Sequence, residues 1–298
     1  MSVLSFLTPS NMEELQQCLR MADERTKFIS GGTDLIIKLR KNINEDWKLI
    51  DLSGVAELDY IKEDGKIIRI GACTTFAELA SNPIIKKYGR CLSMAAAEVG
   101  SVQIRNRATI AGNIANASPA ADSLAPLSVL GAKALLMDRQ GNKTVCEIDN
   151  LISGVGKNNL DVGQIILEIF FPVNENLVSS FVKLGSRKKV SISRLSITIA
   201  AEYNNQEQHL NNVRVAIGAV GPIPLKAVKS ASLIDEKDIS SEVMESFSES
   251  LAEEVEEAIK GRSSMPYKRK AVIGLGKDLL NDLLTYISAL EREESYDR

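Results

Sequence analysis

The pattern of apolar residues changes character at the polar segment 173–178, and no other feature constrains the fold as much. Before it, short runs that read as strands (27–29, 48–52, 60–63, 66–71, 133–138, 143–147 and 165–171) are mixed with stretches of helical period (10–23, 35–39, 75–80 and 84–99). After it come three runs suited to an antiparallel sheet, 180–184, 196–203 and 212–219. Two amphipathic helices follow, about 241–259 and 267–290. In the first of these, Val243, Met244, Phe247, Leu251, Val255 and Ile259 share one face. Local signals punctuate this pattern. Ser10 with Glu13 and Thr75 with Glu78 have the spacing of capping boxes. Asp64-Gly65 between two alternating runs predicts a tight hairpin, and Pro172 ends the apolar strand before it. The expected class is α+β, with a larger N-terminal region and a smaller C-terminal domain of sheet plus helices.

Composition excludes several function classes. The formal net charge of -3 offers no basic field for nucleic acid. No run approaches the roughly 18 apolar residues of a membrane span. Residues 1–9 lack a basic stretch followed by a long apolar one, so they do not read as a secretory signal, and a cytoplasmic location is the expectation. Cys18, Cys73, Cys91 and Cys146 form neither a C-x-x-C pair nor a cluster-type run, so they are expected to be small buried hydrophobes. The single histidine, His209, lies in a polar stretch read as a surface loop between two strands. No metal site and no Ser-His-Asp chemistry is expected from such a set.

Two segments carry chemistry. In Phe28-Ile29-Ser30-Gly31-Gly32-Thr33-Asp34-Leu35 a strand runs into two glycines, a hydroxyl and an acid. Glycines let successive N–H groups turn toward one point, which suits a diphosphate; the same pattern also serves as a plain turn. The second segment, 109–122, contains Thr109, Ala111, Gly112, Asn113, Ser118 and Asp122 and almost no large apolar residue. Small residues admit a flat ligand, and the hydroxyl, amide and acid side chains suit its oxygens and hydroxyls. A loop stabilised by its own Asn, Ser and Asp side chains has the same composition. Neither segment is the G-x-G-x-x-G fingerprint of a Rossmann fold.

Taken together, in this order and spacing, the segments resemble the paired flavin loops of the FAD-binding subunits of xanthine dehydrogenases, carbon monoxide dehydrogenases and related molybdenum hydroxylases. The family pattern A-G-G-T-D-L has its counterpart at 30–35, with Ser30 in place of alanine. The pattern Q-x-R-N-x-x-T-I-G-G-N-I-x-x-x-S-P-x-x-D has its counterpart at 103–122, with Ala111 in place of the first glycine. The run 69–75, the run 181–184 with Arg187, and Tyr267-Lys268-Arg269 extend the likeness over nearly the whole chain.

The resemblance implies a PCMH-type FAD-binding region over 1–173, with subdomains of about 1–55 and 56–173, and a carbon monoxide dehydrogenase flavoprotein-like C-terminal domain over 179–290. It implies non-covalent FAD. The backbone of Ile29, Ser30, Gly31, Gly32, Thr33, Asp34 and Leu35 would hold the diphosphate, and Thr109, Ala111, Gly112 and Asn113 the rest of the dinucleotide. Ser118 belongs to the same set. Asp122 would accept hydrogen bonds from FAD hydroxyls, and Leu167 and Lys183 would lie near the flavin. Read alone, Lys183 is equally an exposed strand lysine. The implied partners are an iron–sulfur subunit with 2Fe–2S clusters and a large molybdopterin subunit. Electrons would leave through FAD to NAD or another acceptor. A stand-alone flavin oxidoreductase and a flavin-free scaffold subunit are the alternative readings.

Overall fold

The computed structural model describes residues 2–41, 46–187 and 190–296. The chain begins with β1 (Ser2–Leu7), α1 (Met12–Arg20), β2 (Thr26–Ile29), α2 (Leu35–Lys41) and β3 (Asp46–Asp51). The strands form a parallel sheet in the order β1-β3-β2, a topology that requires a crossover between each parallel pair. The start of α1 is shifted by one residue from the expected capping box. Asn11, not Ser10, is the N-cap: its side chain accepts from Glu14 N, and the Glu14 carboxylate accepts from Ser10 N. Asparagine caps at least as well as serine, and the reciprocal carboxylate moves with it. Leu15 and Leu19 of α1 pack with Ile50 and Leu52.

The next part contains β4 (Ile61–Asp64), β5 (Ile67–Gly71), α3 (Phe76–Ser81), α4 (Pro83–Tyr88), α5 (Arg90–Ala97), α6 (Val102–Arg105), α7 (Ile110–Asn116) and α8 (Leu124–Val129). It closes with β6 (Lys133–Met137), β7 (Lys143–Glu147), the short pair β8 (Ile152–Gly154) and β9 (Lys157–Asn158), and β10 (Ile165–Pro172). Five strands form an antiparallel sheet in the order β4-β5-β10-β6-β7. The β4–β5 hairpin pairs Asp64 with Ile67, so its two loop residues are Gly65 and Lys66, one position later than expected. Gly65 sits at φ +61°, at the first loop position, where a type II′ turn calls for glycine. The Thr75–Glu78 capping box is present at α3. The single helix expected over 84–99 is two helices broken at Gly89, where an added Cβ would stand 3.1 Å from Phe171 Cζ. Apolar side chains of β5 and β10 (Ile68, Ile70, Ile169, Phe171) pack beneath Leu79, Leu92 and Leu127 of the helices.

The C-terminal part contains β11 (Leu177–Gly185), β12 (Ser193–Asn204), β13 (His209–Gly218), β14 (Leu225–Lys226), α9 (Val228–Ser232), α10 (Ser241–Ala258) and α11 (Met265–Tyr296). The strands form an antiparallel sheet in chain order. Ile197, Ile199 and Ile217 face Phe247 and Leu251 of α10 and Leu279, Leu280 and Leu283 of α11. His209 is the first residue of β13, paired with Asn204, and its Nε2 lies 3.0 Å from Asp238 Oδ1. Arg90 at the start of α5 reaches Asp282 of α11 at 2.7 Å, tying the C-terminal helix to the five-stranded unit. Among the described residues no helix is long and apolar enough to cross a membrane.

Candidate cofactor-binding cleft

The two glycine-bearing segments, 79 residues apart at Ser30 and Thr109, cross each other at backbone distance. A Cβ added to Gly31 would stand 1.9 Å from the carbonyl oxygen of Arg107, so only glycine permits the crossing. Ser30 Oγ and Thr109 Oγ1 share a hydrogen bond of 2.8 Å, which uses the serine that stands where the resembling pattern has alanine. Thr109 also caps α7, its Oγ1 accepting from Gly112 N. A Cβ on Gly112 would come within 2.8 Å of that same oxygen. Residues 110–116 are thus helical where the composition reads equally as a loop. Ala111 sits inside this helix, buried and at negative φ, and donates its N–H to Ala72 O.

A cleft of about 570 Å³ opens beside the crossing. Of the sequence-predicted residues, Ile29, Ser30, Gly31, Gly32, Thr33, Asp34, Leu35, Thr109, Gly112 and Asn113 line it. Gly32 takes φ +70°, and the N–H groups of Gly31, Gly32 and Thr33 have no protein acceptor among the described residues. Free main-chain donors turned toward one cavity are what an anionic diphosphate requires. Lys38 lines the same cleft, 2.5 Å from Asn116 Oδ1. The residues present therefore fit a dinucleotide with a diphosphate at the crossing.

Several contributors to the cleft escaped sequence reading, Lys38 among them. The segment 156–164 forms one wall, held on α7 by Gly156 N to Ala117 O and Asn158 Nδ2 to Ala115 O, at 2.8 and 2.7 Å. Lys27 and Trp47, on adjacent strands, line the cleft as well. A polar, glycine-containing stretch such as 156–164 signals a turn and nothing about what it faces.

Ala111, Ser118, Asp122, Leu167 and Lys183 do not line this cleft. Leu167, on β10, is buried in the small core with Leu15 and Ile50. Ser118 Oγ accepts from Ala120 N. Asp122 and Lys183 form an ion pair of 2.6 Å between the 109–122 segment and β11. Ser193 Oγ donates to the other carboxylate oxygen at 2.6 Å, and Lys183 also donates to Glu98 O. Burial pushes the Asp122 carboxyl above its ordinary value, and Lys183 and Ser193 offset this only in part. Ser193 had no sequence signal, since a serine opening a strand is common.

Cys73 and Cys91 are buried, and burial pushes the Cys73 thiol up to about 12 and the Cys91 thiol up to about 11. Cys18 and Cys146 are partly buried. Among the described residues no three His, Cys, Asp or Glu side chains converge as a metal site.

Comparison with known proteins identifies the two units. Residues 2–174 match the family described as the FAD binding domain in molybdopterin dehydrogenase. Residues 180–283 match the carbon monoxide dehydrogenase flavoprotein C-terminal domain. The chain is 30% identical to the nicotinate dehydrogenase FAD-subunit of Eubacterium barkeri, over 95% of this chain and 97% of that one. It is 28% identical to the xanthine dehydrogenase FAD-binding subunit of Escherichia coli O157:H7, over 87% and 88% of the two chains. The fold is that of a chain of the carbon monoxide dehydrogenase from Hydrogenophaga pseudoflava, with a TM-score of 0.83, 24% identity, and 94% and 97% of the two chains covered. This chain therefore belongs to the FAD-binding medium subunits of the xanthine dehydrogenase and carbon monoxide dehydrogenase family of molybdenum hydroxylases, and is an oxidoreductase component.

Proposed function

We propose that this subunit holds one FAD non-covalently and relays electrons from an iron–sulfur subunit to NAD or another acceptor, in a complex whose large subunit carries molybdopterin. The observation that carries the reading is the crossing of the two glycine-bearing segments at one cleft, lined by three residues whose N–H groups have no protein acceptor among the described residues. When bound, FAD supplies the capacity to take electrons singly and release them in pairs; the protein binds, orients and shields. Gly31, Gly32 and Thr33 hold the diphosphate through their N–H groups, and Thr109, Gly112 and Asn113 close over it. Lys183 and Leu167 serve the flavin end. Asp122 accepts FAD hydroxyls on the lone pairs that Lys183 and Ser193 leave free.

We place the FAD-binding unit at 1–173 and the C-terminal unit at 179–290. The separate sheets on either side of residue 173 support this division. A cytoplasmic complex fits the lack of a membrane-crossing helix among the described residues. Relatives named for nicotinate and xanthine share this chain's architecture, which favours a substrate pocket in another subunit.

The test is an anaerobic titration followed at the flavin absorption band. The isolated chain should be bleached by none of xanthine, nicotinate or an aldehyde. Mixing with its iron–sulfur and molybdenum partners should restore bleaching by the complex's substrate. Bleaching of the metal-free chain by one of these compounds would favour a stand-alone flavoenzyme.

A further inference from the structure

Arg20, at the C-terminal end of α1, and Arg139, in the turn between β6 and β7, line a second groove of about 480 Å³ together with Gln140. Gln16 of α1 donates to Gln140 O at 3.1 Å, and Arg139 donates to Ala22 O at 3.3 Å, so the groove lies on the seam between the three-stranded and five-stranded units. The Arg139 stem passes over Gly163, where an added Cβ would stand 2.3 Å from Arg139 Cγ. Arg25, Arg69, Arg90 and Arg269 each reach a carboxylate, whereas among the described residues Arg20 and Arg139 reach none. The negative end of the α1 dipole favours a cation at Arg20, but it gives no reason for a second cation to share the same groove.

We infer that this groove is a binding site for a phosphate-type dianion. It shares no lining residue with the cofactor cleft, and the inference does not depend on the FAD reading. Two like charges that converge on one space repel each other, and a dianion between them turns the repulsion into attraction. Guanidinium forks match phosphate oxygens in pairs, and the Gln140 carboxamide adds a neutral donor. Arg139 is held by Ala22 O and by its passage over Gly163, so little freedom is lost when the anion arrives. The groove is roomier than a single phosphate group, which admits a phosphate carried on a small organic molecule such as a sugar phosphate. Bound there, the anion joins α1 to the β6–β7 turn and fastens together two units that both contribute to the cofactor cleft.

The test is isothermal titration of the full-length, FAD-saturated protein at fixed ionic strength, with inorganic phosphate and with ribose 5-phosphate as probes. FAD occupancy keeps the glycine crossing from taking the probe. At least one probe should bind saturably at about one per chain. Arg20→Gln and Arg139→Gln should each weaken that binding about tenfold or more, the weight of a charge-assisted hydrogen bond. Arg20→Gln should leave the thermal midpoint near wild type in the absence of probe, so that its lost binding is not a lost fold. Lys86→Gln removes an exposed cation of α4 outside the groove and should bind as wild type does. Tighter binding of ribose 5-phosphate would assign the groove to a phosphorylated organic molecule, and equal binding to phosphate itself. No saturable binding of either probe by the wild type, or the same loss in Lys86→Gln as in the arginine variants, would overturn the site. A protein that takes up no FAD would sink the FAD reading alone, and the same titrations on the flavin-free chain and its arginine variants would still decide the groove.

Discussion

Lys183 Nζ stands 2.6 Å from Asp122 Oδ2, and each side chain is only 7% exposed. This pair clasps the 109–122 segment to β11 of the C-terminal sheet, with Ser193 and the Glu98 carbonyl completing its hydrogen bonds. Removing one partner of a buried pair strands the other charge, which costs about 3–5 kcal/mol. Lys183→Met should therefore lower the thermal midpoint sharply, and the double variant Asp122→Asn/Lys183→Met should recover much of the loss. A double variant no more stable than Lys183→Met would show that the loss does not come from a stranded Asp122 charge.

Asp122 lies in the 109–122 segment proposed to serve FAD, whereas Asp138 does not. Asp138 organises only the turn after β6, accepting from Gln140 N and Asn142 N. Asp122→Ala should weaken FAD retention by roughly 1.5–3 kcal/mol, the weight of a charge-assisted hydrogen bond. Asp138→Ala should leave it near wild type. Equal flavin content in the two purified variants would count against the role given to Asp122.

Gly31→Ala should be far more damaging than Gly65→Ala. At Gly65 nothing lies within 4 Å of an added Cβ, and only its φ of +61° opposes alanine, at about 1 kcal/mol. At Gly31 the added atom meets backbone that cannot move without parting the two segments. The flavin-to-protein ratio should collapse in Gly31→Ala and persist in Gly65→Ala. Full flavin content in Gly31→Ala would refute the crossing as the basis of the site.

Acid should loosen the contact between α5 and α11. Burial opposes ionisation of Asp282, but hydrogen bonds from Arg90 and Ser180 outweigh it and hold the carboxyl below its usual range. A depressed folded pKa adds stability above the unfolded value, about 3.9, and that stability is lost as pH falls through the folded pKa. The stability gap between wild type and Asp282→Asn should thus be widest above about pH 5 and shrink as the pH drops below about 4. Thermal midpoints across this range check it; a gap independent of pH would remove Asp282 from the account.

Local chemistry made part of this structure legible in the sequence. Glycine and an acid announced the hairpin after β4, a Thr75–Glu78 spacing announced α3, and strand alternation announced the sheets. The glycine segments were readable because a backbone crossing tolerates no Cβ, whatever surrounds it. Trp47, Ser193 and the 156–164 wall were not, since their roles depend on neighbours far away in the chain. The break at Gly89 was hidden for the same reason: Phe171, 82 residues later, crowds the site. β1 lacked a signal because it is short and pairs with a strand that begins at Asp46.

The central claim is that the cleft at the Gly31–Arg107 crossing holds FAD without a covalent bond. The most direct measurement is the absorption spectrum of the purified chain, followed by acid precipitation and flavin quantification in both fractions. The account predicts flavin bands at about one FAD per chain, with all of the yellow chromophore in the supernatant. Among the described residues no histidine or cysteine lines the cleft to retain it. A colourless protein that takes up no added FAD, or a pellet that stays yellow, would contradict it.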